Sequence, residues 1–194
     1  LSWLPSFLTR AHHLDRATTG LLLGLAIGIA SPAGAFAGGY MADRLLIAGR
    51  LAAPMIVGLI GASGALFLFV PLAAADSLPW AIAIICALFF FLSLPTAAGP
   101  AGVQMIAPQG IKAQVIALYI VATGLTGMTL GSLIIGALTD HWFGDKALVG
   151  WSIALFGSGA GGLMVILFAY LCRPFALRAR ENIAREDLAG GAGI

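Results

Sequence analysis

The side chains that could do chemistry in the apolar interior of this chain are hydroxyl groups. Six of them lie deep in apolar runs: Ser31, Ser93, Thr96, Tyr119, Thr123 and Thr126. The last three are spaced i, i+4, i+7, which places them along one face of a helix. Hydroxyls at this depth can bond to carbonyls of their own helix, or they can line a water-filled path for a polar solute. The sequence leaves both interpretations open.

Charged groups are missing from the same apolar runs. No Asp, Glu, Lys or Arg occurs in residues 17–42, 51–75, 77–111, 113–139 or 147–172. No His, Cys, Asp or Glu cluster has the spacing of metal ligands, and the phosphate-binding Gly-x-x-x-x-Gly-Lys pattern is absent. An ionisable group inside a membrane span would mark a site. We therefore expect no metal, no cofactor and no ion-coupling carboxylate in this part of the chain.

The elements that position these hydroxyls are predicted to be membrane-spanning helices. The chain is 60% hydrophobic and 9% charged, against roughly 25% charged residues in soluble domains. About 20 apolar residues cross a bilayer as a helix, and the runs show no period-2 alternation of the kind a barrel strand would have. We predict five complete spans, with residues 1–16 as the end of a further helix that begins outside the chain: Ala17–Met41, Leu51–Leu72, Leu78–Met105, Lys112–Thr139 and Val149–Cys172.

Short connections make neighbouring spans antiparallel, and this sorts the basic residues onto two ends. Three share one end: Arg10, Arg16 and Lys146. Seven share the other: Arg44, Arg50, Lys112, Arg173, Arg178, Arg180 and Arg185. The positive-inside rule then predicts a multi-pass protein of the inner membrane with a cytoplasmic C-terminus. Residues 1–172 form the bundle, and residues 173–194 are expected to be a solvated cytoplasmic tail. Nucleic acid is not an expected partner, because no basic patch exists outside this tail.

Glycine and proline positions predict how the spans pack. Gly20, Gly24 and Gly28 repeat every four residues on one helix face, and Gly124, Gly127 and Gly131 share a face of the fourth span. Small residues let helices approach closely in lipid, so we expect both faces to be tightly packed. Three prolines inside spans are expected to kink or break their helices: Pro32, Pro95 and Pro100.

Ser63 is the one residue that imitates a catalytic nucleophile. The stretch at residues 61–64 reads Gly-Ala-Ser-Gly, which is similar to the nucleophile motif of rhomboid intramembrane proteases. Such a serine needs a histidine base within hydrogen-bond reach. His141 is expected at the outer end of the fourth span, about 15 Å from Ser63 in depth, and His12 and His13 are no closer. We predict that the chain is not an enzyme and that Ser63 is a packing residue.

The stretch GGYMADRL at residues 38–45 ends the first span and adds a family resemblance. It resembles the signature loop of the major facilitator superfamily, Gly-x-Leu-Ala-Asp-Arg-x-Gly-Arg-Arg, in the copy between helices eight and nine. Gly39, Ala42, Asp43 and Arg44 match in order, whereas Leu46 replaces the next glycine and the basic end is delayed to Arg50. Residues 2–24 resemble the outer loop between helices seven and eight. Residues 104–145 resemble helices ten to eleven of spinster-type and organic-anion permeases.

The resemblance implies the C-terminal half of a twelve-helix secondary transporter, an all-α membrane protein in which two six-helix bundles rock about a central site. Helices seven, eight, ten and eleven line the cavity in that family, and they correspond here to residues 1–16 and the first, third and fourth spans. The six hydroxyl residues are thereby substrate-cavity candidates. The implied gate motif comprises Gly38, Gly39, Asp43, Arg44 and Arg50, with Asp43 facing the N-terminus of a helix in the missing half.

The expected partners are the lipid bilayer, the missing N-terminal six-helix half and a small-molecule substrate. An uncharged, hydroxyl-lined half-cavity suits an organic anion or a lysolipid-like amphiphile, and a coupling proton or ion would be handled by the missing half. A structural or assembly protein that binds partner helices through its glycine faces is the alternative. An intramembrane serine protease is the least favoured hypothesis.

Overall fold

The computed structural model describes residues 5, 8, 15–75, 77–125 and 149–191. The secondary structure of these residues is entirely helical, with a short 3₁₀ turn at Gln109–Ile111. Five α-helices follow in order: α1 (Arg16–Ile47), α2 (Ala53–Ala73), α3 (Leu78–Ile106), α4 (Lys112–Leu125) and α5 (Val149–Gly191). The all-helical class predicted from the sequence is confirmed for the described part of the chain.

Four of these helices contain segments long and apolar enough to cross a membrane. The segments are Ala17–Ile47, Ala53–Ala73, Leu78–Ile106 and Gly157–Arg185. They overlap the first, second, third and fifth predicted spans, and the last segment ends 13 residues beyond the predicted Cys172. The fourth predicted span, Lys112–Thr139, is described only as far as Leu125, so the rest of it lies outside the described residues, as do the glycines at 127 and 131. Of residues 1–16, predicted to end a further helix, the structure describes Pro5 and Leu8, which are helical, Asp15, and Arg16, where α1 begins.

Helix α3 packs against α1 on one side, through two glycines of α1. A Cβ atom placed on Gly34 would lie 3.0 Å from the Cα of Phe90, and one placed on Gly38 would lie 2.7 Å from the carbonyl carbon of Leu94. Contacts this short are possible only because glycine has no side chain. The contact positions increase together along both helices, so α1 and α3 run parallel, as alternation of the spans requires.

Helix α2 runs antiparallel to α3 and separates it from most of α5. Pro54 of α2 packs at Gly102 of α3, whereas Gly61 packs at Pro95, seven residues earlier in α3. Turned by roughly 40–60° from these residues, Gly58 of α2 contacts Phe168 of α5. Gly157, earlier in α5, contacts Phe69, later in α2, so α5 also runs antiparallel to α2. The alternating directions expected from the short connections are therefore confirmed for these four helices.

The predicted glycine face of the first span does not pack within the described structure. A Cβ atom placed on Gly20, Gly24 or Gly28 would have no neighbouring atom within 4 Å, and all three glycines are exposed. The packed seam of α1 consists instead of buried residues spaced three or four apart, which are small apart from Leu23: Leu23, Ala26, Ala30, Gly34, Gly38 and Ala42. Gly24 and Gly28 are turned from the nearest residues of this seam by roughly 100–160°, at about 100° per residue. The expectation of tight packing at these glycines is wrong for the described bundle.

The prolines inside the spans do not break their helices. Pro32 lies within α1, and Pro95 and Pro100 lie within α3, and both helices continue through them. A proline removes only its own N–H donor, and neighbouring helices can satisfy the carbonyl that it frees. The helix breaks that we expected as one alternative are therefore absent at these three positions.

Two helices extend beyond their predicted ends. Helix α1 continues past Met41 to Ile47 and closes at Gly49, whose φ is +78°. The N–H of Gly49 donates to the carbonyl of Leu46 at 2.9 Å, and that of Arg50 donates to Leu45 at 2.9 Å. The left-handed backbone at Gly49 is the usual helix stop. Asp43 and Arg44 therefore belong to the end of a helix and not to a loop.

Helix α5 continues through Cys172 and Arg173 to Gly191, a length of 43 residues. At about 1.5 Å per residue it measures roughly 65 Å, twice the hydrocarbon thickness of a bilayer. Its buried face carries on beyond the apolar part, with Phe175 7% exposed and Ala179 0% exposed. The predicted boundary at residue 172 is thus a change of composition within one helix. The described part of the tail is helical and has a packed side.

Candidate functional site

The hydroxyl residues of α3 lie on the side of that helix that faces away from α2. Gly102 and Pro95 mark the α2 side, because they contact Pro54 and Gly61. At about 100° per residue, Ser93 is turned roughly 160–180° from these two residues and Thr96 roughly 100–120°. Ser93 is half-buried and Thr96 is exposed. These two hydroxyl residues therefore lie on the face of α3 that α2 leaves uncovered.

Helix α1 borders the same uncovered side. A Cβ atom on Gly39 would lie 3.6 Å from the Cβ of Ala97, which neighbours Thr96 on α3. Ser31, which is half-buried, and Gly28, which is exposed, lie within about a quarter turn of Gly39 on the helix. The parallel register of the two helices puts Ser31 about 9 Å from Ser93 in depth. We call this side of the bundle the open face, formed by Gly28, Ser31, Gly39, Ser93, Thr96, Tyr119 and Thr123.

Helix α4 joins the open face through Tyr119. A Cβ atom on Gly99 of α3 would lie 3.3 Å from Cζ of Tyr119, so the phenol ring is seated directly over this glycine. Tyr119 is half-buried and Thr123, one turn further along α4, is exposed. Gly99 was not among the residues selected from the sequence. Its position inside a helix pattern, one residue before Pro100, is the signal that could have identified it.

Two of the threonines donate hydrogen bonds to their own helices. The Thr96 hydroxyl donates to the carbonyl of Ser93 at 2.6 Å. The Thr123 hydroxyl is within donor distance of the carbonyls of Tyr119 and Ile120, at 2.9 and 3.0 Å. Their donors are thus used within the helix, whereas the oxygen lone pairs remain available as acceptors. Thr126, the third member of the predicted stripe, lies outside the described residues.

This donor and acceptor pattern limits what the open face can do chemically. It presents hydroxyl oxygens and small residues and carries no charged side chain. It can accept hydrogen bonds from water or from the polar groups of a solute, but it offers no cation to pair with an anion. Any charge on a bound solute would have to be met by groups outside these seven residues.

The predicted gate motif lies at the end of α1 with Arg44 held by its own helix. Nε of Arg44 donates to the Tyr40 hydroxyl at 2.9 Å, and the guanidinium carbon is 5.1 Å from the centre of the Tyr40 ring. Asp43 is exposed and has no ion-pair partner among the residues that the structure describes. Tyr40 was not selected from the sequence, although its i, i+4 spacing to Arg44 is the signal for such a pair.

The glycines of the motif have neighbours within the chain. Gly38 is the point of closest approach to Leu94 of α3, and Gly39 lies at ordinary contact distance from Ala97. Gly38 is therefore accounted for without a helix from outside the chain. Arg50 is exposed, directly after the helix stop at Gly49. The implied pairing of Asp43 with a helix of the missing half stays a prediction.

Ser63 is half-buried in α2 between two glycines that pack against α3. A Cβ on Gly61 would lie 2.7 Å from the carbonyl oxygen of Phe91, and one on Gly64 would lie 2.5 Å from a carbon of the Phe91 ring. The glycines of this nucleophile-like stretch thus have a packing role. All three histidines lie outside the described residues, so the geometry of a serine–histidine pair is not defined.

The described residues are those of an all-helical protein of the membrane-embedded type, with an uncharged face of α1, α3 and α4 that α2 leaves uncovered. No family model, no curated protein and no solved structure matches the chain. The residues of the open face and of the helix ends are therefore the features that bear on its function.

Proposed function

We propose that the chain is the C-terminal six-helix half of a secondary transporter that moves a small organic solute across the inner membrane by alternating access. The observation that carries this proposal is the open face, to which α1, α3 and α4 each contribute small or hydroxyl-bearing residues. A packing surface needs no hydroxyls, whereas a solute path between two bundles needs both polar groups and room.

The depth of the open face supports this proposal. Ser31 and Ser93 lie close to the middle of α1 and α3, which span residues 16–47 and 78–106. Transporters bind their substrates near the bilayer midplane, at the junction of two helical repeats. The three contributing helices are also the ones to which the family resemblance assigns the cavity. An organic anion or a lysolipid-like amphiphile remains the proposed substrate class, with its charge met by the missing half.

The gate motif has a place in the same proposal. Asp43 is exposed at the carboxyl end of α1, where its negative charge lies next to the negative end of the helix dipole and is unfavourable. A partner from outside the described residues would offset this cost. In the proposed transporter that partner is the N-terminus of a helix in the first half, and the contact holds one conformation. The C-terminus would then lie in the cytoplasm, with the seven basic residues on the same side.

The direct test is transport by the full-length protein carrying Thr96→Val and Thr123→Val. The probes are radiolabelled benzoate and lysophosphatidylglycerol, taken up into proteoliposomes. Each valine removes a hydroxyl oxygen at nearly constant volume, and a lost hydrogen bond is worth about 1 kcal/mol, so we expect uptake of the transported probe to fall roughly tenfold. Thr18→Val, in the first turn of α1, is the matched control and should leave uptake unchanged. Equal uptake by the double variant and the control would remove the two threonines from the solute path.

A structural protein that binds partner helices is the second candidate, favoured by the open space around Gly20, Gly24 and Gly28. In that case a partner helix would cover the open face, and water would not reach it. The two candidates therefore predict opposite water access at Ser93, which lies on α3 near the α1 border of the same face.

Cysteine labelling distinguishes water access from burial in a partner. In a background lacking Cys86 and Cys172, we expect Ser93→Cys in the full-length protein to react with a membrane-impermeant methanethiosulfonate cation, because only a hydrated thiol ionises readily. Ile85→Cys, at a buried position of α3, and Leu163→Cys, at an exposed apolar position of α5, should not react. Unreactive Ser93→Cys would favour the partner-helix candidate, and reactive Leu163→Cys would show that the reagent reaches the outer surface unselectively.

A further inference from the structure

The part of α5 beyond Cys172 is fixed to the bundle and does not extend freely from it. Phe175 is buried where Pro54 of α2 meets Gly102 of α3. One turn later Ala179 is buried, and Nδ2 of Asn182 donates to the main-chain carbonyl of Met105 at 3.3 Å. Met105 lies in the last turn of α3, where carbonyls lack partners within their own helix. These contacts hold the extension against the ends of two spans.

The same contacts set the depth of the extension. The register between α1 and α3 places Arg44 level with Pro100, two residues before the Gly102 position that Phe175 contacts. Arg173 precedes Phe175 by two residues, so the first cation of the extension lies level with Arg44, the cation in the last turn of α1. This level marks the edge of the charge-free part of the bundle. Arg178 and Arg180 follow about 8–10 Å further along α5, and a headgroup layer is about 5–8 Å thick.

The arginines at this level point away from the bundle. At about 100° per residue, Arg173 and Arg180 are turned roughly 100–160° from Phe175 and Ala179. Arg178 is turned roughly 60–100° from them on the other flank of α5, and all three arginines are exposed. Neither Arg173 nor Arg180 is within ion-pair distance of a carboxylate in the part of the chain that the structure describes. Arg178 has a single pairing with Glu181 at 3.8 Å, between side chains that are 77% and 56% exposed. Such an exposed pair is worth little, so the positive charge of this surface is largely uncompensated.

From this placement we propose that the exposed arginines of α5, with Arg173 and Arg180 on one flank of the helix and Arg178 on the other, bind the phosphate groups of anionic phospholipids. A guanidinium group binds phosphate through two parallel hydrogen bonds. Arg173 lies at the inner edge of the headgroup layer, and Arg178 and Arg180 lie at its outer edge, from which their long side chains extend back toward the phosphates. A packed helix therefore presents all three groups to lipid without ordering a flexible chain. An acidic soluble protein would be met more readily by the far end of α5, beyond the headgroup layer. The proposal rests on no part of the transport function.

The test measures which lipids surround this helix. The full chain is reconstituted into phosphatidylcholine bilayers with a bimane fluorophore on Ile183→Cys, an exposed position, in a background lacking the two native cysteines. Nitroxide-labelled phosphatidylglycerol or nitroxide-labelled phosphatidylcholine is then added. The attraction of one arginine to an anionic membrane surface corresponds to roughly a fivefold preference for phosphatidylglycerol over phosphatidylcholine. We therefore expect half-maximal quenching at a concentration of phosphatidylglycerol at least tenfold lower than that of phosphatidylcholine.

Variants separate a specific surface from general charge. Arg173→Gln, Arg178→Gln and Arg180→Gln together should abolish the preference, whereas the corresponding three lysine substitutions should retain most of it. Arg10→Gln, Arg16→Gln and Lys146→Gln remove the same charge from the predicted opposite end and should leave the preference unchanged. The proposal is overturned by equal quenching with the two lipids, by a preference that survives the glutamine variant, or by its equal loss in the opposite-end control. Polyglutamate that changed bimane emission where phosphatidylglycerol did not would replace the lipid with an acidic protein.

Discussion

Gly38→Val will destabilise the bundle, because α1 and α3 meet at this residue backbone to backbone. Even the first carbon of a side chain would lie 2.7 and 2.9 Å from the carbonyl carbon and Cα of Leu94. These are main-chain atoms of a helix, which cannot turn aside as the end of a flexible side chain can. Overpacking in a close-packed interior costs about 1–3 kcal/mol, and a valine at a backbone contact should reach the upper end of this range.

The unfolding temperature of the detergent-solubilised chain measures the effect. A loss of about 3 kcal/mol lowers the midpoint by roughly 6–12 °C for a protein of this size. Gly24→Val is the matched control, since it adds the same side chain to the same helix at a position with nothing within 4 Å. Its midpoint should change little. If the two variants unfolded at the same temperature, the close approach of α1 to α3 at Gly38 would be wrong.

Phe175→Ala will release the C-terminal extension of α5 from the bundle. Phe175 is 7% exposed, and its ring packs where Pro54 and Gly102 meet. Replacing a buried phenylalanine with alanine costs about 3–5 kcal/mol. Most of this loss should appear locally, because the extension has only Ala179 and Asn182 as further anchors among the described residues. Leu177→Ala, at a position that is 62% exposed, should change stability by less than about 0.5 kcal/mol.

Trypsin reports the release directly, since it cleaves after Arg178, Arg180 and Arg185. In the unmodified chain the packed helix should protect these bonds, because cleavage requires local unfolding. We expect the initial cleavage rate to rise at least tenfold in Phe175→Ala and to stay unchanged in Leu177→Ala. An unchanged rate in both variants would mean that Phe175 does not anchor the extension.

The positions of the spans could be predicted from the sequence because a charge inside hydrocarbon is costly. The third span is predicted as Leu78–Met105 and is Leu78–Ile106 in the structure. The ends of α1 and α5 are predicted less well, since a helix does not stop where the apolar run stops. Helix α1 stops at the left-handed Gly49. Helix α5 continues because Phe175 and Ala179 extend its buried side beyond the apolar run.

The packing of the glycines is predicted incorrectly because a repeat in the sequence carries no information about which neighbour it faces. Gly20, Gly24 and Gly28 form the most regular glycine repeat of α1, yet they face open space, whereas Gly34 and Gly38 meet α3. Which residues of a helix are packed depends on how that helix is rotated relative to its surroundings.

The sequence by itself determined that this chain is helical, membrane-embedded in type and free of charge in its interior. These properties follow from composition along the chain, because each span must satisfy its own backbone and exclude charge regardless of its neighbours. Only the tertiary structure decided that Ser31, Ser93, Thr96 and Tyr119 share one side of the bundle, and that Arg173 is held at the level of Arg44. Rotation and depth are set by contacts between helices distant in sequence, and composition along a single helix does not encode them.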